Sequence, residues 1–228
     1  MHLNKRLSFL YIINILLIST TLLSCNLKAE VPYVEPHSTI GNENEEEEEE
    51  TTARLYKLLA LGDSYTIGQS VCTSCRFPEQ LKDSLAENFS AQDSFFLEII
   101  AQTGWTTTNL KLAIANANLS NDFDLVTLLI GVNNQYQNKP FSLYQTEFVE
   151  LVDTAISLVG NEPSRLIVVS IPDYAYTPFG QNANPETISN ELEAYNDYAE
   201  SYCNSNGLTY VYITDITQQG LSNPDLVA

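Results

Sequence analysis

Histidine is almost missing from this chain. Its 228 residues hold two, His2 and His37, and both precede the part that reads as globular. Basic residues are scarce as well, 10 Lys+Arg against 29 Asp+Glu, for a formal net charge of −19. So acidic a chain has little with which to neutralise phosphates, which argues against nucleic acid as a partner. Cysteine occurs four times, at Cys25, Cys72, Cys75 and Cys203. A closed zinc site needs four ligands, and the region from Arg54 onward has three Cys and no His, so neither a metal nor a cofactor is expected. No internal repeat is visible. What is present, 44% hydrophobic against 17% charged residues, is the composition of a folded chain, and the length suits one domain.

The one long apolar run, Leu7 to Leu23, lies at the N-terminus behind Lys5 and Arg6 and ends in Leu22-Leu23-Ser24-Cys25. A basic start, an apolar stretch and a small residue before a cleavage point describe an export signal over residues 1–25. The alternative, an uncleaved anchor, is disfavoured because the run is marginal in length for spanning a bilayer. Leu-Leu-Ser-Cys resembles the lipobox of bacterial lipoproteins. That resemblance implies acylation of Cys25, removal of His2 with the leader, and, from Asn26 at the next position, the outer membrane. Residues 26–53 hold nine acids and one lysine, including the run Glu45 to Glu50, and are expected to be a disordered spacer. Residues 54–228 carry 20 acids and seven bases.

From Arg54 onward, short apolar runs alternate with amphipathic stretches. Strands are expected at 55–61, 95–100, 123–130, 165–171 and 209–213. Helices are expected from Pro78 with Leu81, Leu85 and Phe89 on one face, over 106–118, over 142–159, and from Pro185 to a cap at Gly207. This alternation predicts an α/β fold, a three-layer α/β/α sandwich around a five-stranded parallel sheet. No helix is legible after the fifth strand. In such sheets ligands gather at the carboxyl ends of the strands.

Those ends carry the chemistry. The first strand runs into Gly62-Asp63-Ser64-Tyr65-Thr66, the second leads to Thr103-Gly104-Trp105-Thr106-Thr107, and the third to Gly131-Val132-Asn133-Asn134. They offer a hydroxyl, a backbone N–H freed by a glycine, and a side-chain amide. Thr66 stands where a Gly-x-Ser-x-Gly elbow would need its second glycine. Singly, a Ser after a strand is a helix cap and an Asn in such a loop is a turn residue.

The ordered set resembles the SGNH hydrolases, also called the GDSL esterase/lipase family, over residues 54–228. The resemblance implies a flavodoxin-like sheet and ester cleavage through an acyl-enzyme. Ser64 would be the nucleophile, and the N–H groups of Ser64 and Gly104 with the Asn133 amide would form the oxyanion hole. Asp63 would orient the Ser64 turn. Family members often have Asp where this chain has Asn134.

The family's catalytic pair, an Asp-x-x-His segment beyond the fifth strand, has no counterpart here. His37 lies in the spacer, and Asp215 reads as a turn or cap residue. The chain is therefore expected to be a fragment that stops before that segment and, as written, to be inactive. The alternatives are a catalytically silent lipoprotein that binds ligands or glycans, and a surface adhesion or structural module. Cys72 and Cys75 are expected to pair outside the cytoplasm, and Cys203 to be a buried thiol. Tyr65, Trp105, Tyr136 and Phe179 are candidates to line a pocket, with ordinary core and loop packing the alternative for each, and the loop Pro172 to Asn184 could cover the site. The partner implied is a small-molecule ester, with the chain a lipid-anchored monomer.

Overall fold

The computed structural model describes residues 52–223. The expected leader with Cys25, nearly all of the acidic spacer, both histidines and the last five residues lie outside the described residues.

Five parallel strands form one sheet in the order β2-β1-β3-β4-β5, where β1 is Leu55–Gly62, β2 Ser94–Ala101, β3 Leu125–Leu129, β4 Leu166–Val169 and β5 Thr209–Val211. This is the flavodoxin-like order. It places a topological switch between β1 and β3, and the crevice beyond their carboxyl ends is where such sheets hold ligands. The major helices are α2 (Phe77–Asn88), α3 (Thr107–Asn116), α5 (Phe141–Leu158) and α6 (Pro185–Asn206). Right-handed crossovers put α2 on one face and α3, α5 and α6 side by side on the other.

Between these lie three helices of four or five residues that the sequence pattern does not reveal: α1 (Ser64–Ile67), α4 (Val132–Tyr136) and α7 (Thr214–Thr217). The last corrects the expectation of no helix after the fifth strand. The loop 172–184 is likewise less open than expected, since it contains two 3-10 turns, Tyr174–Tyr176 and Gly180–Asn182.

The core follows the alternation of the strands. Leu59 and Leu61 of β1 and Val126 and Leu128 of β3 face the three-helix layer. There they meet Leu110 of α3, Tyr144, Phe148, Leu151, Val152 and Ala155 of α5, and Leu192, Tyr195 and Ala199 of α6. These positions recur every three or four residues, so one stripe of each helix is buried.

Several boundaries differ from the pattern because side chains take over the backbone hydrogen bonding. Strands β4 and β5 are shorter than expected. The Ile171 N–H donates to the Asn196 side chain at 2.8 Å, and the Ile213 N–H donates to Ser170 Oγ at 2.8 Å. Helix α3 starts one residue late because Thr106 caps it in a reciprocal box with Asn109. Phe89 falls just past α2 and packs instead against Tyr56 and Phe95. Among the described residues no helix is long and apolar enough to cross a membrane.

Candidate active site

Ser64 is the first residue of α1, directly beyond the carboxyl end of β1. Asp63 caps that helix, accepting a hydrogen bond from the Tyr65 N–H at 3.1 Å. Its other oxygen is buried without a partner. Burial outweighs the hydrogen bond and pushes the Asp63 carboxyl up from 3.8 to about 7. Burial, with Asp63 next, also drives the Tyr65 phenol upward. The Ser64 hydroxyl makes no hydrogen bond to any described residue. The arrangement fits Asp63 as the residue that orients the turn.

Gly104 closes the turn between β2 and α3 at φ +85, a conformation that side chains resist, with open space where a Cβ would sit. Its N–H donates to no described acceptor. The turn is tied to α4: Gln137 Nε2 donates to the Gly104 carbonyl at 2.9 Å, and Asn133 Nδ2 donates to the Trp105 carbonyl at 3.0 Å. One amide hydrogen of Asn133 is thereby fixed and the second remains free. Gly131, at φ +134, admits the sharp entry from β3 into α4, where a Cβ would come within 2.7 Å of both Ile171 and Tyr144.

Asn134 points away from the crevice and locks the same two loops from behind. Its Oδ1 accepts from the Thr107 N–H at 2.9 Å, and its Nδ2 donates to Thr107 Oγ1 at 2.7 Å. Thr107 Oγ1 in turn donates to Glu147 of α5 at 2.5 Å. The hydroxyl has one proton, which Glu147 receives, so the group on its other side must be a donor. An amide fits there and a carboxylate does not, which accounts for asparagine at this position.

Two openings meet at Ser64. A small pocket of about 200 Å³ is lined by Ser64, Tyr65, Val132, Asn133, Tyr136, Tyr174 and Phe179. A larger cavity of about 1030 Å³ runs from Ser64 past Thr103, between the loop Gly68–Phe77 on one side and Pro172, Tyr174, Phe179 and Leu221 on the other. Ser64 and Asn133 thus share a wall, and the Gly104 turn is pinned beside them. Tyr65, Tyr136 and Phe179 line these openings, but Trp105 lines neither and packs against the core. Cys72 and Cys75 are joined by a disulfide in the loop bordering the larger cavity, and Cys203 is a buried free thiol. Asp215 is exposed in the first turn of α7 and accepts from the next N–H, that of Ile216, at 2.9 Å. The described residues include no group of His, Cys, Asp and Glu able to hold a metal ion. Arg76, Phe77 and Leu221 line the cavity although nothing in the sequence pattern singled them out.

The chain belongs to the GDSL-like lipase/acylhydrolase family, whose sequence profile matches residues 60–227. Similar solved structures include an alpha/beta hydrolase enzyme, LAE5, from the metagenome of Lake Arreo, at 19% identity and TM-score 0.54, covering 75% of this chain and 83% of that one. A member of the lipolytic G-D-S-L family from Veillonella parvula matches at 16% identity and TM-score 0.53, covering 72% and 79%. The SGNH-hydrolase family esterase AlinE4 matches at 15% identity and TM-score 0.52, covering 78% and 84%. At these identities the likeness shows the fold. Among curated proteins, none matches.

Proposed function

We propose that the domain is an ester hydrolase whose acyl-enzyme forms on Ser64. The observation that carries this is the meeting of Ser64 and Asn133 in one pocket, with the Gly104 N–H left undonated on a turn tied to the same helix. In this reading Ser64 Oγ attacks the ester carbonyl. The carbonyl oxygen, as it gains charge, accepts from the Ser64 and Gly104 N–H groups and from the second Asn133 amide hydrogen. Collapse of the tetrahedral intermediate expels the alcohol, and water then releases the acid.

The histidine base that the resemblance implies has no counterpart in residues 54–228, which contain no histidine. Loss of the base from a Ser–His pair costs on the order of a millionfold in kcat. We therefore infer that the chain as given turns over negligibly. The same observation favours one second reading, a silent lipoprotein that binds ester ligands without cleaving them. In both readings residues 1–25 are an export signal, Cys25 bears the lipid, residues 26–53 are a spacer, and the lipid-anchored domain works outside the cytoplasm as a monomer.

Exogenous imidazole separates the two readings. The purified chain is assayed with p-nitrophenyl butyrate across an imidazole series, each rate corrected by Ser64→Ala at the same concentration. A Ser64-dependent rate that is close to nil without imidazole and climbs with it supports the hydrolase. Equal rates in both proteins throughout support the silent binder. Within the hydrolase reading, Asn133→Ala is expected to lower the rescued rate by about 100- to 1,000-fold.

A further inference from the structure

Seven basic side chains lie between 54 and 223, and four of them, Arg54, Lys57, Lys82 and Lys111, are paired with carboxylates. Lys139 and Arg165 are exposed at the surface. Arg76 differs from all six. It is half-buried, lines the large cavity that opens on Ser64, and forms no ion pair with any described residue. Its guanidinium makes no hydrogen bond to a described residue, and its Nε is buried without a partner. In a domain of 20 acids and seven bases, an arginine left unpaired inside a cavity goes against the prevailing charge. A guanidinium whose Nε is buried and whose terminal N–H groups are unused where the cavity opens is a site for an anion.

The fold also holds this side chain in place. Its backbone follows the Cys72–Cys75 disulfide directly, with the Arg76 N–H on the Thr73 carbonyl at 3.3 Å and the Arg76 carbonyl receiving Gln80 N–H at 3.0 Å. Its stem runs over Gly68, where a Cβ would come within 2.3 Å of Arg76 Cγ. Gly68 caps the helix that Ser64 begins, so the stem crosses that helix four residues from the nucleophile, about 6 Å along the axis. One other charged side chain, Asp173, lines the cavity, and its oxygens are engaged by Ala175 N–H at 3.0 Å and Ser189 Oγ at 2.6 Å. The remaining wall near Arg76 is largely apolar, with Val71, Phe77, Pro178 and Leu221.

We propose that Arg76 is the specificity-determining residue of this cavity, and that the ligand is an ester carrying a second, anionic group, a carboxylate or a phosphate, joined to it by a short apolar segment. The ester carbonyl lies at Ser64, the segment crosses the apolar wall, and the anion accepts from the guanidinium. This deepens the hydrolase reading and rests on Ser64 as the reacting centre, but recognition by Arg76 needs no catalysis.

Binding is therefore measured on the full chain carrying Ser64→Ala, by calorimetry, with two matched pairs of probes. Monomethyl adipate is compared with methyl hexanoate, and 4-acetoxybutyl phosphate with butyl acetate. At least one anion is expected to bind about tenfold or more tighter than its neutral counterpart, and the pair with the larger ratio identifies the anion. Arg76→Gln is expected to abolish the preference, and Arg76→Lys to retain part of it. If Arg76→Gln does not fold, the Arg76 Nε–H NMR signal of the Ser64→Ala chain supplies the readout, and the preferred anion is expected to shift it while its neutral counterpart does not. No preference in either pair, a preference that survives Arg76→Gln, or an unmoved Nε–H signal overturns the proposal. A preference that holds while the imidazole assay fails leaves the anion site standing and removes the hydrolase.

Discussion

Asp63 and Asn134 show how single side chains around the crevice are held by proton counting. The unfolded Asp63 carboxyl titrates near 3.8 and the folded one near 7. Between those values the unfolded chain releases the proton first, so the contribution of Asp63 to stability falls as pH rises through the window and levels off above it. Asp63→Asn keeps an acceptor for the Tyr65 N–H and carries no charge. It is expected to be more stable than the parent by about 2 to 4 kcal/mol near pH 8, with the difference closing toward pH 4, as denaturant melts across pH would show. Asn134→Asp has the opposite sign, because it places a second acceptor on a hydroxyl whose proton already goes to Glu147. A loss of about 1 to 3 kcal/mol at neutral pH is expected, largely restored by adding Glu147→Gln. Both substitutions leave the Ser64 hydroxyl in place, so melts rather than rates are the readout.

At the scale of elements, the long pieces were legible and the short ones were not. Helices α5 and α6 bury a stripe that repeats every three or four residues, which a sequence displays directly. Leu151, fully buried at the centre of that stripe, is expected to cost about 2 to 5 kcal/mol on truncation to alanine, seen as a drop in denaturation midpoint with an unchanged slope. Helices α1, α4 and α7 are each about a single turn, too short to show a period, yet α1 and α4 present Ser64 and Asn133. Their positions were found because a strand had to end there, and the resemblance named the residues. The ends of β4 and β5 were misjudged for a related reason. Asn196 and Ser170, distant in sequence, capture the N–H groups of Ile171 and Ile213, and alternation along one strand carries no trace of that.

For the whole molecule, the five-stranded parallel sheet was reachable from the βα alternation and its flavodoxin-like character from the resemblance, and the crevice between β1 and β3 follows from the observed order. The cavity beyond it was not reachable. It exists where the disulfide loop, the segment after β4 and the residues after α7 converge, and Arg76, Phe179 and Leu221 meet there from three separate stretches of chain. Tyr65, Tyr136 and Phe179 were legible as aromatic residues after strands, whereas Trp105, with the same signal, turned to the core. The scarcity of histidine was plain from composition alone. The structure adds that the Ser64 hydroxyl has no described hydrogen-bond partner, and that the Gly104 N–H and the second Asn133 amide hydrogen donate to no described acceptor.

The central claim, that Ser64 is the atom acylated, is tested most directly by mass. The chain is incubated with p-nitrophenyl butyrate and imidazole, quenched in acid, digested and mapped. Imidazole serves acylation and deacylation alike, so the acid quench is expected to trap a butyryl group on the peptide containing Ser64, and that group to be missing from the same peptide in the Ser64→Ala variant. An unmodified Ser64 peptide, or acylation spread over lysines to the same extent in both proteins, would contradict it.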